Sequence, residues 1–391
     1  MKAPDHILYF DNNATTQIDP VVLEEMLPFL SANYGNPSSP YRIGKLTQNA
    51  IEQARERVAA SLNCQPSEIL FTSCGTESIN TAIHSALAVD RDSQHIVTTR
   101  VEHSATLKTC EMLAKKGYEI TWLSVDSKGQ IDLDELAKAV RSDTALVSVM
   151  WANNETGTVF PIDQIRALLR QKNVFFHTDA VQVIGKLPVD LSDGSIQFLS
   201  LSGHKLHCPK GVGALYINRK SRFFPFVTGG SQENGRRAGT QNVASIVALG
   251  KACELAVQKL EAEQVEVRKM RDTFEAAILE QISGVQINGD TTSRLPNTTS
   301  LAFENTDAEA LLMLLDDKNL CCSAGSACTA GSLNPSHVLK AMGFSDDRAR
   351  SSLRFSFGRF NTMEQINEGI ERVCRAVEKV RTTTGFATAS V

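Results

Sequence analysis

From Glu68 to about Asn218 the chain alternates short apolar runs with stretches of helical period. The runs are Ile69-Leu-Phe-Thr72, His95-Ile-Val-Thr98, Ile120-Thr-Trp-Leu123, Ala145-Leu-Val-Ser-Val-Met150, Val174-Phe-Phe-His177, Phe198-Leu-Ser-Leu201 and Gly213-Ala-Leu-Tyr-Ile217. Most are uninterrupted rather than alternating, which suits strands covered on both faces. Helical periods lie between most of them, as from Asp132 to Arg141 and from Ile162 to Gln171. That order predicts an α/β fold with a mainly parallel, doubly wound sheet.

The flanks read differently. Asp11-Asn-Asn-Ala-Thr-Thr16 is turn chemistry that ends an extended lead-in. Asp19-Pro20 predicts a capped helix running to about Leu30, with proline in the first turn where its missing N–H costs little. After the loop Gly35-Asn-Pro-Ser-Ser-Pro40, a helix is predicted from about Tyr41 to Leu62, with Ile43, Leu46, Ala50, Ile51, Ala54 and Val58 as its apolar stripe. A glycine-rich loop, Thr228 to Thr240, precedes a long helical stretch from about Asn242 past Gln281, as one helix or as two across a break. Further on, Leu295 to Phe303 and a helix from Thr306-Asp307 to about Lys318 open a last region. The tail from Thr382 to Val391 has too little apolar surface to order itself. No internal repeat is present.

At 391 residues the chain has room for a large domain and a smaller second one. Its 42% hydrophobic and 21% charged content is that of a soluble globular protein, and a net charge of −4 offers no basic field for nucleic acid or anionic membrane. No apolar run approaches a membrane span and Met1 to His6 has no signal-peptide core, so the expected location is the cytoplasm. Nine cysteines at irregular spacing, with no C-x-x-C pair, predict reduced thiols rather than a disulfide framework. His204, His207 and Cys208 bunch beside a strand end without an obvious fourth ligand, so no metal is expected.

Candidate chemistry begins where the Phe198–Leu201 run breaks at Ser202-Gly203, with Lys205 two residues beyond. Open parallel sheets bind ligands outside the carboxyl ends of their strands, so an amine there is well placed. The preceding run carries Asp179 and Gln182 just past its end. A lysine and an acid on two such ends suit pyridoxal 5'-phosphate (PLP): the lysine holds the aldehyde as a Schiff base, and the acid pairs with the protonated pyridine nitrogen.

Ser202-Gly-His-Lys-Leu-His-Cys-Pro-Lys-Gly-Val-Gly213, together with His177-Thr-Asp-Ala-Val-Gln182, resembles the class V aminotransferase branch of fold-type-I PLP enzymes, and within it the NifS/IscS-type cysteine desulfurases. Matching blocks run from Tyr9-Phe-Asp-Asn-Asn-Ala-Thr-Thr16 to Leu353-Arg-Phe-Ser-Phe-Gly-Arg-Phe360. Leu201 to His207 and Thr72 to Ser78 look closer to the nitrogen-fixation (NifS) members than to the housekeeping ones. The family tends to have Leu-His where Pro40-Tyr41 stands, and Ser104 and Ser231 also depart from its pattern.

The resemblance implies a large PLP-binding domain over residues 14–258 and a small α+β domain over 259–391, joined by residues 1–13. With Lys205 in place, Gly75, Thr76, Ser202 and His204 read as a phosphate cup, the first two at a helix N-terminus whose amides and dipole favour an anion. The residue matching Thr240 comes from a second subunit, which implies a homodimer with composite sites. His103 matches the histidine that stacks on the cofactor ring and moves protons. Asn154 is an amide donor to the cofactor or the substrate carboxylate, and Arg354 fixes that carboxylate.

Cys328 lies in Ser323-Ala-Gly-Ser-Ala-Cys-Thr-Ala-Gly-Ser332, a run of small residues in which an accessible thiol can act as nucleophile and carry sulfur away. Cys321 and Cys322, directly after Leu320, read as buried, inert thiols. The expected enzyme is thus a cysteine desulfurase: L-cysteine becomes L-alanine, Lys205 removes the Cα proton, and a persulfide on Cys328 passes to an iron–sulfur scaffold protein, with a nitrogenase-related role. A selenocysteine lyase or another class V aminotransferase-like enzyme would share Lys205 without depending on Cys328. A dinucleotide-binding module would need a G-x-G-x-x-G after the first strand, which is missing.

Overall fold

The computed structural model describes residues 6–89, 92–172, 174–325 and 335–383. Its centre is a seven-stranded sheet in the order Ile69–Thr72, Gly213–Ile217, Phe198–Ser202, Phe175–Asp179, Thr144–Ser148, His95–Thr99 and Glu119–Leu123. Neighbours pair in parallel except Gly213–Ile217, which runs antiparallel to both strands beside it. Five of the strands are buried at every position and Phe175–Asp179 at all but its first. Glu119–Leu123, at the edge, is buried only at its last residue. Continuous apolar runs therefore mark the strands covered on both faces, as expected of an α/β sheet.

A second, four-stranded sheet runs Ser323–Ala324, Ser352–Ser356, Thr298–Phe303, Val285–Ile287, antiparallel throughout. The lead-in strand Leu8–Tyr9 pairs in parallel with Leu320–Cys321. The helix Val243–Gln281 is continuous over 39 residues, so no break interrupts it. Its buried residues up to Ala256 belong to the core under the large sheet, and those from Val267 to Ile278 to the core of the second sheet. Val338, Leu339, Met342 and Ala349, late in the chain, join the first of these cores.

The helix Arg42–Ser61 lies against this long helix, and Gly250 makes the approach possible: a Cβ there would meet the Ala54 Cα at 2.6 Å. Its buried face is not quite the predicted stripe. Leu46 is exposed, while Gly44, Thr47 and Arg55 are buried beside Ile51, Ala54 and Val58. The buried polar members are satisfied: Thr47 Oγ1 donates to the Gly35 carbonyl at 3.0 Å, and Arg55 is paired as described below. The helix begun at Pro20 ends at Met26 and tightens into a 3₁₀ turn over Leu27–Leu30.

Candidate active site

The carboxyl ends of the central strands converge. Phe175–Asp179 ends on Asp179, which is buried, with its Oδ1 accepting from the Val181 amide at 2.9 Å. Burial pushes the Asp179 carboxyl up, while the charges of His103 and Lys205 pull it back down. Burial outweighs them, so on balance the carboxyl is raised.

Lys205 closes a short 3₁₀ turn after Phe198–Ser202. Its Nζ donates to the Ala14 carbonyl at 2.7 Å and to the Asn13 carbonyl. Gln182 Nε2 donates to that same Asn13 carbonyl at 3.0 Å. The Asn13 side chain in turn donates to the Asn154 carbonyl at 3.2 Å and to Thr298 Oγ1 at 2.8 Å. Asn13 thus joins the lysine, the second sheet and the Asn153–Gly157 loop at one buried point. The sequence showed this segment as turn residues only, because the partners lie 141 to 285 positions away.

Gly75 starts the helix Gly75–Val89. A Cβ on it would come within 2.9 Å of Val181 Cγ2 and 3.6 Å of Ser202 Cβ, so the helix start is pressed against the two strand ends that carry Asp179 and Lys205. The first intrahelical bond is from the Ser78 amide to the Cys74 carbonyl. The amides ahead of it open the helix toward Ser202. Ser202 Oγ is buried and has no hydrogen-bond partner among the described residues. Such a hydroxyl costs free energy unless something accepts from it or donates to it. Thr76 is exposed at the same helix start. His204, one residue before the lysine, sets its Nδ1 3.2 Å from Thr15 Oγ1. Burial, with the charges of Lys205 and Lys210, pushes its pKa down to about 4, so it is neutral at pH 7.

His103 caps the helix Ser104–Lys115, its Nδ1 accepting from the Ala105 amide at 3.1 Å. In the neutral ring this leaves the proton on Nε2. Beside it Glu102 is fully enclosed. Its Oε1 accepts from Thr99 Oγ1 and from the Met150 amide, both at 2.9 Å, and its Oε2 has no partner among the described residues. Burial first, and then the charge of Asp179, push its pKa up to about 8. Glu102 was not singled out in the sequence, since nothing local distinguishes a buried acid from a solvated one.

A pH dependence follows. Below about pH 4.5 Glu102 is protonated folded and unfolded alike, but between 4.5 and about 8 only the unfolded chain ionises it. Stability should fall as pH rises through that window, by an amount on the order of 4 kcal/mol. Melting curves from pH 5 to 8 should show a smaller fall for Glu102→Gln than for the wild type. Parallel curves would mean the carboxyl is already ionised in the fold.

Arg354 sits mid-strand in Ser352–Ser356 and is 2% exposed, so it is not the solvent-facing arginine that an alternating pattern allows. Its Nη2 donates to Asp11 Oδ1 at 2.6 Å and its Nη1 to the Asn154 carbonyl at 2.9 Å. Thr240 is exposed at the end of the glycine-rich loop. That loop is pinned from beneath by a buried ion pair: Arg55 meets Glu233 at 2.8 and 2.9 Å, and Arg237 reaches Glu77 at 2.9 Å. Glu233 and Asn234 both have positive φ, 49° and 57°, a conformation these anchors hold in place.

Cys328 lies outside the described residues. Cys321 and Cys322 are half-buried rather than fully enclosed, Cys321 in the short strand that pairs with the lead-in and Cys322 just past its end. Burial still pushes both thiols up, away from the nucleophilic thiolate. Among the described residues no three His, Cys, Asp or Glu side chains gather as metal ligands. None of the described helices is long and apolar enough to cross a membrane.

The sequence matches the aminotransferase class-V family over residues 8–368. The chain belongs to that family. Within it the chain is 49% identical to a cysteine desulfurase of Nostoc sp. over 380 residues, 97% of this chain and 95% of that protein. It is 48% identical to the cysteine desulfurase NifS of Azotobacter vinelandii, across 97% of this chain and 94% of that one. The solved structure of a NifS-like protein superposes with a TM-score of 0.90 at 38% identity, covering 96% of this chain and all of that one. The family thus accounts for the α/β core as well as for the order of the strand-end blocks.

Proposed function

We propose that this protein is a PLP-dependent cysteine desulfurase. L-cysteine and the Cys328 thiol become L-alanine and a Cys328 persulfide, an exchange in which atoms and electrons balance without an outside oxidant or reductant. The observation that carries this reading is that Asp179 and Lys205 stand at the carboxyl ends of two paired strands, with His103 past the end of a third strand of the same sheet, on a fold whose relatives are named cysteine desulfurases.

The residues present fit the cofactor. Ser202 Oγ is a buried hydroxyl without a partner among the described residues, and the Gly75 helix start faces it, which suits a phosphate dianion held with Thr76 and His204. Asp179 is a buried acid that a pyridinium would keep ionised. Bound there, PLP supplies the electron sink that makes a Cα–H bond of an amino acid acidic.

The chain's own groups would then act as follows. Lys205 Nζ would be the covalent anchor for the cofactor and the base that takes the Cα proton. His103, with its proton on Nε2, would hold or move a proton at the substrate. Asn154 and Gln182 would orient the cofactor, and Arg354 would hold the substrate carboxylate. The Cys328 thiolate takes the sulfur, and the persulfide passes to an iron–sulfur scaffold protein, in a nitrogenase-related role that relatives with the name NifS support.

Two subunits share each site, with Thr240 reaching the neighbour's phosphate. Exposed Thr240 on a pinned loop supports this, as do the exposed Leu27, Leu30, Tyr34 and Tyr41. Residues 14–258 form the cofactor-holding unit, and 259–391 with 1–13 the unit that carries Cys328, in the cytoplasm.

Purified protein loaded with PLP and given L-cysteine and a thiol reductant should release alanine and sulfide in equal amounts, and should sediment as a dimer. Failure to form either product from L-cysteine would refute the reading. Alanine formation by a monomer would refute the shared site alone.

A further inference from the structure

Arg354, the cation of the proposed substrate seat, is buried and already engaged. Asp11 Oδ1 accepts from its Nη2 at 2.6 Å, and the pair is nearly dry, with the two side chains 2% and 14% exposed. The other Asp11 oxygen, Oδ2, accepts from Ser323 Oγ at 2.9 Å. Ser323 itself stands opposite Arg354 in the strand register. The third edge of the guanidinium is unserved: Nε is buried without a partner among the described residues. A carboxylate of this chain therefore holds one face of the group proposed to take the carboxylate of the substrate, and a buried donor is left over for an incoming anion.

We propose that Asp11 is an internal competitor for the substrate carboxylate at Arg354, a specificity-determining residue that sets how tightly the site holds an amino acid. This rests on the reading of Arg354 as the carboxylate seat. A guanidinium binds carboxylate best when both its donors face it in a fork. With Asp11 in place, a second carboxylate either shares the fork against like-charge repulsion or displaces the first. Either way the free protein keeps Arg354 neutralised, and binding gains only the difference between two ion pairs. Without Asp11 the free protein would hold a buried charge unpaired, which is strongly unfavourable, and the ligand would relieve it. Asp11 thus trades affinity for a folded, charge-balanced empty site, which favours release of the alanine product. Ser323 holds the far oxygen, so that Asp11 stays within reach when the ligand carboxylate arrives.

The sign of the effect separates this role from a structural one, because damage to a site weakens binding. Holoenzyme is titrated calorimetrically with L-alanine and with L-alaninamide, which lacks the carboxylate. Asp11→Asn should bind L-alanine about tenfold more tightly than wild type, about 1.4 kcal/mol, with no gain for L-alaninamide. Adding Arg354→Ala to it should erase the gain. Weaker or unchanged L-alanine binding in Asp11→Asn, while Arg354→Ala alone still weakens it, would overturn the competitor and leave the carboxylate seat standing. Unchanged binding in Arg354→Ala alone would overturn the seat, and the competitor with it. If Asp11→Asn fails to fold, Ser323→Ala serves, since it loosens Asp11 without removing the charge: a gain of about threefold is expected, and no gain or a loss overturns the proposal.

Discussion

Lys205→Ala should lower alanine formation from L-cysteine by at least ~10³-fold, because it removes the covalent anchor and the base for the Cα proton together. The position of this lysine is what sets it apart. It follows a strand buried at all five positions, and its amine is held by the carbonyls of Asn13 and Ala14. Two other lysines are close in the sequence or in space. Lys210 is exposed, and Lys186 donates its amine to Gln182 Oε1 at 2.8 Å. Borohydride reduction of the PLP-loaded protein followed by peptide mapping should place the pyridoxyl group on Lys205. A label on Lys186 or Lys210, or a Lys205→Ala variant with near-normal turnover, would remove Lys205 from the proposed mechanism.

Cys328→Ala should leave PLP bound and abolish alanine and sulfide release. The loss should exceed the ~10²–10⁴ typical of deleting one acid–base group, because a nucleophile is missing rather than a proton carrier. The described thiols are poor substitutes. Cys110, Cys208 and Cys253 are buried, and burial pushes the thiols of Cys64, Cys321, Cys322 and Cys374 up. Cys74, half-buried one residue before Gly75, is the thiol nearest the proposed phosphate cup in the chain. Mass spectrometry of the wild type after exposure to L-cysteine should find one added sulfur on the peptide that contains Cys328. An added sulfur on the Cys74 or Cys321–Cys322 peptide instead, or continued alanine release by the variant, would show that another thiol accepts the sulfur.

The sequence by itself determined the α/β class and most strand positions, because a strand covered on both faces must be apolar at successive positions. Ile69–Thr72, Phe198–Ser202 and Gly213–Ile217 are legible for that reason. It also placed Asp179 at, and Lys205 just past, the ends of apolar runs, since a polar residue or a glycine breaks the run there. The matching blocks supplied His103, Asn154, Thr240 and Arg354 as candidates.

Tertiary structure alone decided which groups meet. Gly213–Ile217 runs antiparallel between Ile69–Thr72 and Phe198–Ser202, a pairing that no run of apolar residues specifies, because an apolar strand is compatible with either direction. Asp11 and Arg354 are 343 positions apart, and Glu233 and Arg55 are 178 apart. Each looks like an ordinary charged residue in its own segment. Glu102 is legible as an acid but not as a protonated one, for its upward shift comes from burial and from the charge of Asp179, 77 positions away, against the hydrogen bonds from Thr99 and Met150. Periodicity reports which face of an element is buried. Pairing of charges across elements depends on how those elements pack, and that is settled only when the chain closes on itself.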